Sequence, residues 1–319
     1  MRKNKKIQIF CTLGPSSLNK KFLKFLTKKV DLLRLNMSHI KVENLKNIIK
    51  KIKSYSKIPI CIDTEGAQIR IKVLKNKNLK TGSKIIIKKN GSVSLYPRYI
   101  FDKLKKGDVL YIGFEGLIAV ITVKNKDSVI LKCLSNGWLE NNKGVHVHNR
   151  KVKLNYLTEK DFKAIKIAKK MKIKNYALSF TNNYQDIEKF NKLIPNEKKY
   201  FKIETRKSIN NFSSMIKKAN YFLIDRGDLS KDIKIEEIPI AQRYLFSKKR
   251  NNTEIAIATN FLESMVEKPF PSRAEVNDIY TSLEMGASAL VLSSETAIGK
   301  YPEKCIEFLL RIIKKYRNK

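Results

Sequence analysis

The chain has 319 residues, 42% of them hydrophobic and 30% charged, with 67 Lys and Arg against 29 Asp and Glu for a formal net charge of +38. That length holds one large barrel-type domain with an insert, or two ordinary domains, and either buries a substantial core. The basic excess would suit a nucleic acid or an anionic surface, but the lysines are scattered and interleaved with Ile and Asn, as in 50–53 and 166–170, and no helix-turn-helix, zinc-finger or RNA-recognition signature accompanies them, so a solvated surface of the kind an AT-biased genome produces is the reading adopted.

The N-terminal segment, Met1 to Lys6, runs straight into Ile7-Gln8-Ile9-Phe10, an apolar stretch too short for a signal peptide, and no later run is long enough for a membrane span. A soluble, cytoplasmic protein with no membrane partner and no specific nucleic-acid partner is expected. Short apolar runs then recur at Ile7 to Leu13, Val30 to Asn36, Ile58 to Thr64, Tyr176 to Phe180, Tyr200 to Glu204, Tyr221 to Asp225, Glu254 to Thr259 and Ala289 to Ser293. Most are followed by helical spacing, for example Phe22, Leu23, Leu26 and Val30, or Leu45, Ile48, Ile49 and Ile52. Strand-helix alternation implies a parallel sheet, and eight units favour closure. The predicted fold class is α/β: a (β/α)8 TIM barrel with a small β-barrel lid domain inserted after the third strand.

The insert is read from a change of rhythm. Between about 72 and 151 the pattern turns to short alternating runs at 84–87, 109–112 and 120–123, punctuated by Asn90-Gly91, Lys106-Gly107-Asp108 and Asn136-Gly137. The predicted domains are therefore 1–71 with 152–319 as the catalytic barrel, and 72–151 as a lid that closes over the reacting groups. Trp138 is expected to pack under that lid, and the last barrel helix is expected from Pro302 to Lys315, with no further domain after it. Cys11, Cys61, Cys133 and Cys305 lack the paired spacing of disulfides or zinc sites and read as reduced thiols.

Polar residues gather at the C-terminal ends of the runs, the rim where such barrels place their chemistry. Lys202-Ile203-Glu204, Asp225-Arg226-Gly227-Asp228 and Ala258-Thr259 close successive runs, so a lysine, carboxylates and a threonine converge. An ammonium beside oxygen ligands suits Mg²⁺ bridging an anionic substrate and a phosphate. Arg34 and Arg70 can neutralise phosphate oxygens, while Asn36, Ser38, Asp63 and Thr64 form a mostly neutral oxygen set better suited to a monovalent cation. Taken singly, each motif also has a plain reading as loop cap, strand-end salt bridge or turn. His146 and His148 form a His-x-His without a third ligand nearby in sequence.

These residues in this order resemble pyruvate kinases. The resemblance runs from Cys11-Thr12-Leu13-Gly14-Pro15-Ser16-Ser17 through Arg34-Leu35-Asn36-Met37-Ser38-His39, Asp63-Thr64, Lys143-Gly144-Val145, Lys202-Ile203-Glu204 and Arg226-Gly227-Asp228-Leu229. It continues through Ala258-Thr259-Asn260-Phe261-Leu262-Glu263-Ser264-Met265, Ser272-Arg273-Ala274-Glu275 and Leu292-Ser293-Ser294-Glu295-Thr296-Ala297. It implies Mg²⁺-dependent phosphoryl transfer from phosphoenolpyruvate to ADP, giving pyruvate and ATP in glycolysis. Glu204 and Asp228 would bind Mg²⁺, Lys202 would stabilise the transferring phosphoryl group, and Gly227 and Thr259 would hold the substrate carboxylate. Arg34, His39, Arg70 and Lys143 would face phosphates and nucleotide, with K⁺ held by Asn36, Ser38, Asp63 and Thr64. Protonation of the enolate would pass through water near Thr259.

The resemblance also has departures. The usual Asp-Thr-Lys-Gly-Pro-Glu stands as Asp63-Thr64-Glu65-Gly66-Ala67-Gln68, so K⁺ dependence is not fixed by Gln68. Asn260 replaces a glutamine, Ser294 a glycine, and Asp225 adds a carboxylate that either alters the metal's charge environment or pairs with Arg226. The family's C-terminal regulatory domain is not expected here, so sugar-phosphate regulation is not expected either and any homo-oligomer would form through barrel surfaces. An enzyme acting on another enol phosphate or carboxylate, or a non-catalytic paralogue, are the alternatives.

Overall fold

The computed structural model describes residues 6–113, 116–150 and 152–318; the basic segment Met1–Lys5 and the predicted boundary residue Lys151 lie outside them. The chain divides into two compact units, residues 1–66 with 159–319, and residues 67–158.

The first unit is a closed eight-stranded parallel barrel. Its strands are β1 (Gln8–Thr12), β2 (Leu32–Asn36), β3 (Ile60–Asp63), β13 (Asn175–Leu178), β14 (Lys198–Ile203), β15 (Tyr221–Asp225), β16 (Glu254–Ala258) and β17 (Ala289–Leu292), in the order β1-β17-β16-β15-β14-β13-β3-β2. The TIM-barrel expectation is met, and each predicted apolar run became one strand. Six of the runs extend one or two residues past the C-terminal end of their strand into the rim, while those ending at Asn36 and Asp225 stop with it.

Side-chain alternation builds the barrel's interior in layers. Phe10, Leu32, Cys61, Ala177, Tyr200, Leu223, Ala256 and Ala289, one from each strand, form one buried cluster, tightened by edge-on contact of Phe10 with Tyr200 at 5.3 Å. Lys198 lies 4.0 Å from the centre of the Tyr221 ring at the N-terminal end of the strands. Two residues further along six of those strands the inward position is polar: Thr12, Arg34, Asp63, Ser179, Lys202 and Asp225, all buried. The apolar layer is the floor on which this polar layer rests.

The outer helices follow the same logic with a period near 3.6. Helix Val42–Tyr55 buries Leu45, Ile49 and Ile52 against the barrel, and helix Arg206–Met215 starts at a capping box in which Thr205 accepts the Ser208 N–H at 3.0 Å. Such a cap contributes about 1 kcal/mol, and it begins one residue after Glu204, fixing where that side chain leaves its strand. Among the described residues no helix is long and apolar enough to cross a membrane.

The second unit contains β4 (Ile69–Val73), β5 (Lys77–Leu79), β6 (Lys84–Lys88), β7 (Val93–Tyr96), β8 (Val109–Ile112), β9 (Leu117–Lys124), β10 (Ser128–Cys133), β11 (Gly137–Leu139) and β12 (Gly144–Val147). Seven of them form an antiparallel sheet in the order β6-β10-β9-β8-β12-β4-β7, and β11 pairs with β5 as a separate ribbon. The sheet curls round its own core of Ile69, Ile71, Ile85, Ile87, Leu110 and Leu131 among others. Trp138 is not packed beneath it: the side chain is 48% exposed, because Leu139 takes the inward face of the ribbon and Trp138 the opposite one.

Candidate active site

The polar layer of the barrel concentrates charge. Lys202 Nζ lies 2.6 Å from Glu204 Oε1, 3.1 Å from Asp225 Oδ2 and 3.4 Å from Asp63 Oδ2, and donates to Ser179 Oγ at 3.3 Å. Arg34 donates from Nε to Asp63 Oδ2 at 2.7 Å and from Nη1 to Thr12 Oγ1 at 3.1 Å, while its Nη2 lies 3.7 Å from Asp225 Oδ2. Asp63 is fully buried and holds both cations, with Ser179 Oγ donating to its other oxygen at 3.2 Å. Burial alone would lower the affinity of Lys202 for its proton, but Asp63, Glu204 and Asp225 outweigh it and keep the ammonium charged well above the ordinary lysine range.

Glu204 responds in the opposite direction. Burial pushes its carboxyl up, Lys202 pulls it down, and the neighbouring carboxylates of Asp228, Asp225 and Asp63 raise it again, to about 8. Its Oε2 accepts the Phe180 N–H at 2.5 Å, and Phe180 adopts φ of +52°, a left-handed conformation that points this N–H inward. Its Oε1 is buried and accepts no well-directed hydrogen bond, although Lys202 is close. Glu204, Asp225 and Asp228 each offer an oxygen within 4.8 Å of the others, the one such group of His, Cys, Asp or Glu ligands among the described residues. Hard oxygen donors in this number fit a divalent cation such as Mg²⁺ that keeps waters in its shell.

Asp225 does not pair with Arg226. Arg226 Nη1 donates to both oxygens of Asp278 at 2.7 and 2.8 Å, the guanidinium lies 4.6 Å from the Phe261 ring centre, and Nη2 donates to the Thr259 carbonyl. Asp225 instead turns to Lys202 and Arg34, and caps the one-turn helix Arg226–Leu229 by accepting the Asp228 N–H at 3.4 Å. Lys231 forms an ion pair with Asp228. Gly227 N–H donates to Thr259 Oγ1 at 2.9 Å, so the two residues assigned to one substrate carboxylate are neighbours.

The loop after β3 is pinned from below. Asp161, fully buried in the first turn of helix Glu159–Lys170, accepts the N–H groups of Glu65 and Gly66 at 2.7 and 3.0 Å. Gly66 has φ of +72°, and a Cβ there would sit 2.7 Å from Ser179 Cβ, so only glycine lets the loop cross that strand end. Glu65 is buried, with Lys160 Nζ 3.8 Å from its Oε1, and Lys160 also donates to the Met37 carbonyl. The lysine-to-glutamate departure in this loop is thus matched by an adjacent ammonium.

Of the residues read as a monovalent-cation set, Asn36 and Asp63 are register partners on β2 and β3, and Thr64 follows directly. Asn36 Oδ1 accepts the Ser38 N–H at 3.0 Å and Thr64 Oγ1 the Ser179 N–H at 3.0 Å. His39 lies exposed on the same turn, its N–H donating to the Asn36 carbonyl at 3.1 Å. Arg70 and Lys143 belong to the second unit, where β4 and β12 are paired; Arg70 Nη1 donates to the Asn142 carbonyl at 3.0 Å and Lys143 Nζ lies 3.0 Å from Glu140. His148 stacks on Tyr111 at 4.6 Å.

Thr12, Ser179, Phe180 and Asp161 were not singled out from sequence. The first two carried a signal, since each is the inward-facing polar residue at the end of an apolar run. Asp161 and the Phe180 backbone carried none, because their roles depend on contacts made across the fold. Two further stretches of the motif set prove to be framework. Ser272 and Glu275 form the capping box of helix Arg273–Glu284, and Glu275 also accepts the Ser264 N–H at 2.7 Å, tying down the loop after β16. Thr296 Oγ1 donates to the Thr12 carbonyl at 2.9 Å, and Gly14 packs so closely on Ala297 that a Cβ would lie 2.6 Å from its carbonyl oxygen.

The model of the family described as pyruvate kinase, barrel domain, matches residues 4–306. A pyruvate kinase of Methanocaldococcus jannaschii is 33% identical over 320 residues, which span 97% of this chain and 69% of that protein. Pyruvate kinases of Thermotoga maritima and Chlamydia muridarum are each 31% identical, over 98% and 96% of this chain and 71% and 68% of their own lengths. With the barrel-domain family matched over nearly its whole length, the chain belongs to the pyruvate kinase family.

Proposed function

We propose that the chain is a pyruvate kinase, transferring the phosphoryl group of phosphoenolpyruvate to ADP to give pyruvate and ATP, as in glycolysis. The observation that supports this most directly is the buried Lys202 ammonium set among Glu204, Asp225 and Asp63 at the C-terminal rim of the barrel. Phosphoryl transfer needs positioning and charge stabilisation more than covalent participation by the protein. Lys202 would face the equatorial oxygens of the transferring group. Glu204 and Asp228 would hold Mg²⁺, which when bound neutralises phosphoryl charge.

Arg34 is largely committed to Asp63 and Thr12, so it fixes the layer as well as presenting its remaining N–H groups to substrate. Thr259 Oγ1 and the Gly227 N–H would receive the substrate carboxylate, with proton delivery to the enolate through water beside Thr259. His39, Arg70 and Lys143 would serve the nucleotide phosphates. K⁺ would be held by Asn36, Ser38, Asp63 and Thr64.

A second reading, an enzyme of the same scaffold using another enol phosphate or carboxylate, rests on Glu65, Ala67 and Gln68, which change the loop where the family carries lysine, proline and an acidic residue. Coupled pyruvate formation from phosphoenolpyruvate and ADP with Mg²⁺, run with and without K⁺, separates the two. Turnover supports the kinase and measures its K⁺ dependence. No turnover in either salt, from protein shown to be folded, favours the second reading.

A further inference from the structure

Asp225 stands where the family resemblance calls for no carboxylate, and its surroundings give it a task. It occupies the inward position of β15 two residues beyond Leu223, level with Lys202 on β14 and Asp63 on β3. Its Oδ2 lies 3.1 Å from Lys202 Nζ, and one of its oxygens falls within 4.8 Å of ligand oxygens on both Glu204 and Asp228. Arg226, the adjacent cation, is turned away, its Nη1 donating to both oxygens of Asp278 and its Nη2 to the Thr259 carbonyl.

We propose that Asp225 is a third carboxylate ligand for the divalent cation, which makes the centre a strong cation site before any substrate is present. This inference rests on the reading that Glu204 and Asp228 hold that cation. Asp225 adds a fourth acidic side chain to Asp63, Glu204 and Asp228, beside the cations Arg34, Lys202 and Lys231. Lys202 Nζ now touches two of the three proposed ligands, and a divalent cation entering the triad would compete with it for them. The cation's arrival would thereby loosen the ammonium for contact with a phosphoryl group. A hard cation is the matching ligand because all three donors are carboxylate oxygens. A third carboxylate also leaves less residual positive charge for an anionic substrate, so substrate binding should depend strongly on prior loading of the cation.

The test uses Mn²⁺ alone, with no substrate and no turnover, so it is independent of whether phosphoenolpyruvate is the substrate. Free and bound Mn²⁺ are counted by electron paramagnetic resonance for wild type, Asp225→Asn and Asp225→Ala, with circular dichroism and thermal melts as the check on folding. The expected result is a loss of Mn²⁺ affinity in both variants at least as large as the roughly 10–100-fold that loss of an outer-shell partner costs. Equal affinity in wild type and folded variants would overturn the proposal. Should either variant fail to fold, a crystal of the wild-type protein soaked in Mn²⁺ decides: an anomalous peak bonded to an Asp225 oxygen supports the assignment, and a peak bonded only to Glu204 and Asp228 removes it.

Discussion

The Gly227 N–H donates to Thr259 Oγ1 across the ends of β15 and β16 at 2.9 Å, and Thr259 holds φ of +73° to receive it. A β-branched residue in the left-handed region is a backbone outlier that costs on the order of 1–3 kcal/mol. Three contacts hold it there: the Gly227 bond, the Thr259 hydroxyl to the Ala258 carbonyl at 2.5 Å, and Arg226 to the Thr259 carbonyl. If the hydroxyl orients substrate and the proton-delivering water, T259S should turn over at close to the wild-type rate, while T259A should lose roughly 10²–10³-fold in kcat. Steady-state pyruvate formation by both variants checks this. An active T259A would restrict Thr259 to a backbone role.

Replacing Lys202 with methionine removes the ammonium that three buried carboxylates share. Breaking a buried ion cluster by deleting one partner costs about 3–5 kcal/mol, because the opposite charges stay behind. K202M should therefore unfold at a lower urea concentration than wild type in EDTA, and Mg²⁺ should return part of that loss by neutralising the same carboxylates. Its phosphoryl transfer should stay slowed by roughly 10²-fold or more even when the cation is saturating. Urea titrations with and without Mg²⁺, paired with turnover at high Mg²⁺, measure both effects. A K202M protein as stable as wild type in EDTA would mean that the carboxylates relax or take up protons instead.

Much of this centre was legible in the sequence because a strand's period of two converts spacing into direction. Tyr200 and Lys202, or Leu223 and Asp225, are separated by one residue, so an apolar inward position is followed by a polar inward one at the rim. The convergence of Asp63, Lys202 and Asp225 follows from that rule, whereas Asp228 stands in the one-turn helix beyond β15. Its reach ends where partners are chosen. Nothing local says that Arg226 takes Asp278 rather than Asp225, since 52 residues separate that pair and they meet only when helix Arg273–Glu284 packs beside the end of β15. Asp161 was invisible for the same reason: its partners Glu65 and Gly66 lie on the far side of the insert. Trp138 was misplaced because a three-residue ribbon leaves the choice of inward face to its neighbours.

Asp161 deserves a test of its own as a positioning residue. One carboxylate accepts the N–H groups of both Glu65 and Gly66, and the loop it holds begins at Asp63 and Thr64. Asparagine keeps the shape but presents an NH2 group to one of those N–H donors. A charge-assisted hydrogen bond contributes about 1.5–3 kcal/mol, and a buried unsatisfied donor adds its own penalty. D161N should lower stability by at least that amount. It should also raise the KM for phosphoenolpyruvate or the K⁺ activation constant before it affects kcat, because Lys202 and Glu204 stand on a different strand. A fall in kcat alone, with KM and K⁺ response unchanged, would contradict a role exerted through the β3 loop.

Glu295 offers a pH-dependent readout away from the Lys202 cluster. It is 1% exposed, its Oε1 accepts no hydrogen bond, and burial raises its carboxyl to about 7, with a smaller push from Glu263 and Glu275. The folded protein therefore binds this proton more tightly than the unfolded chain, whose carboxyl titrates near its ordinary value. Stability from this group is fully present below the unfolded pKa and is lost as the pH rises through the folded one, with a total effect of roughly 3 kcal/mol. In E295Q the side chain is neutral at every pH, so the stability gap between variant and wild type should shift in the variant's favour by that amount between pH 4.5 and pH 8. Urea unfolding of both proteins across that range measures the gap directly. Taking the difference cancels the contribution of other raised carboxyls such as Glu204, which have the same sign in both proteins. Parallel curves would mean that Glu295 ionises in the fold as readily as in the unfolded chain, and that its Oε1 finds a donor in solution.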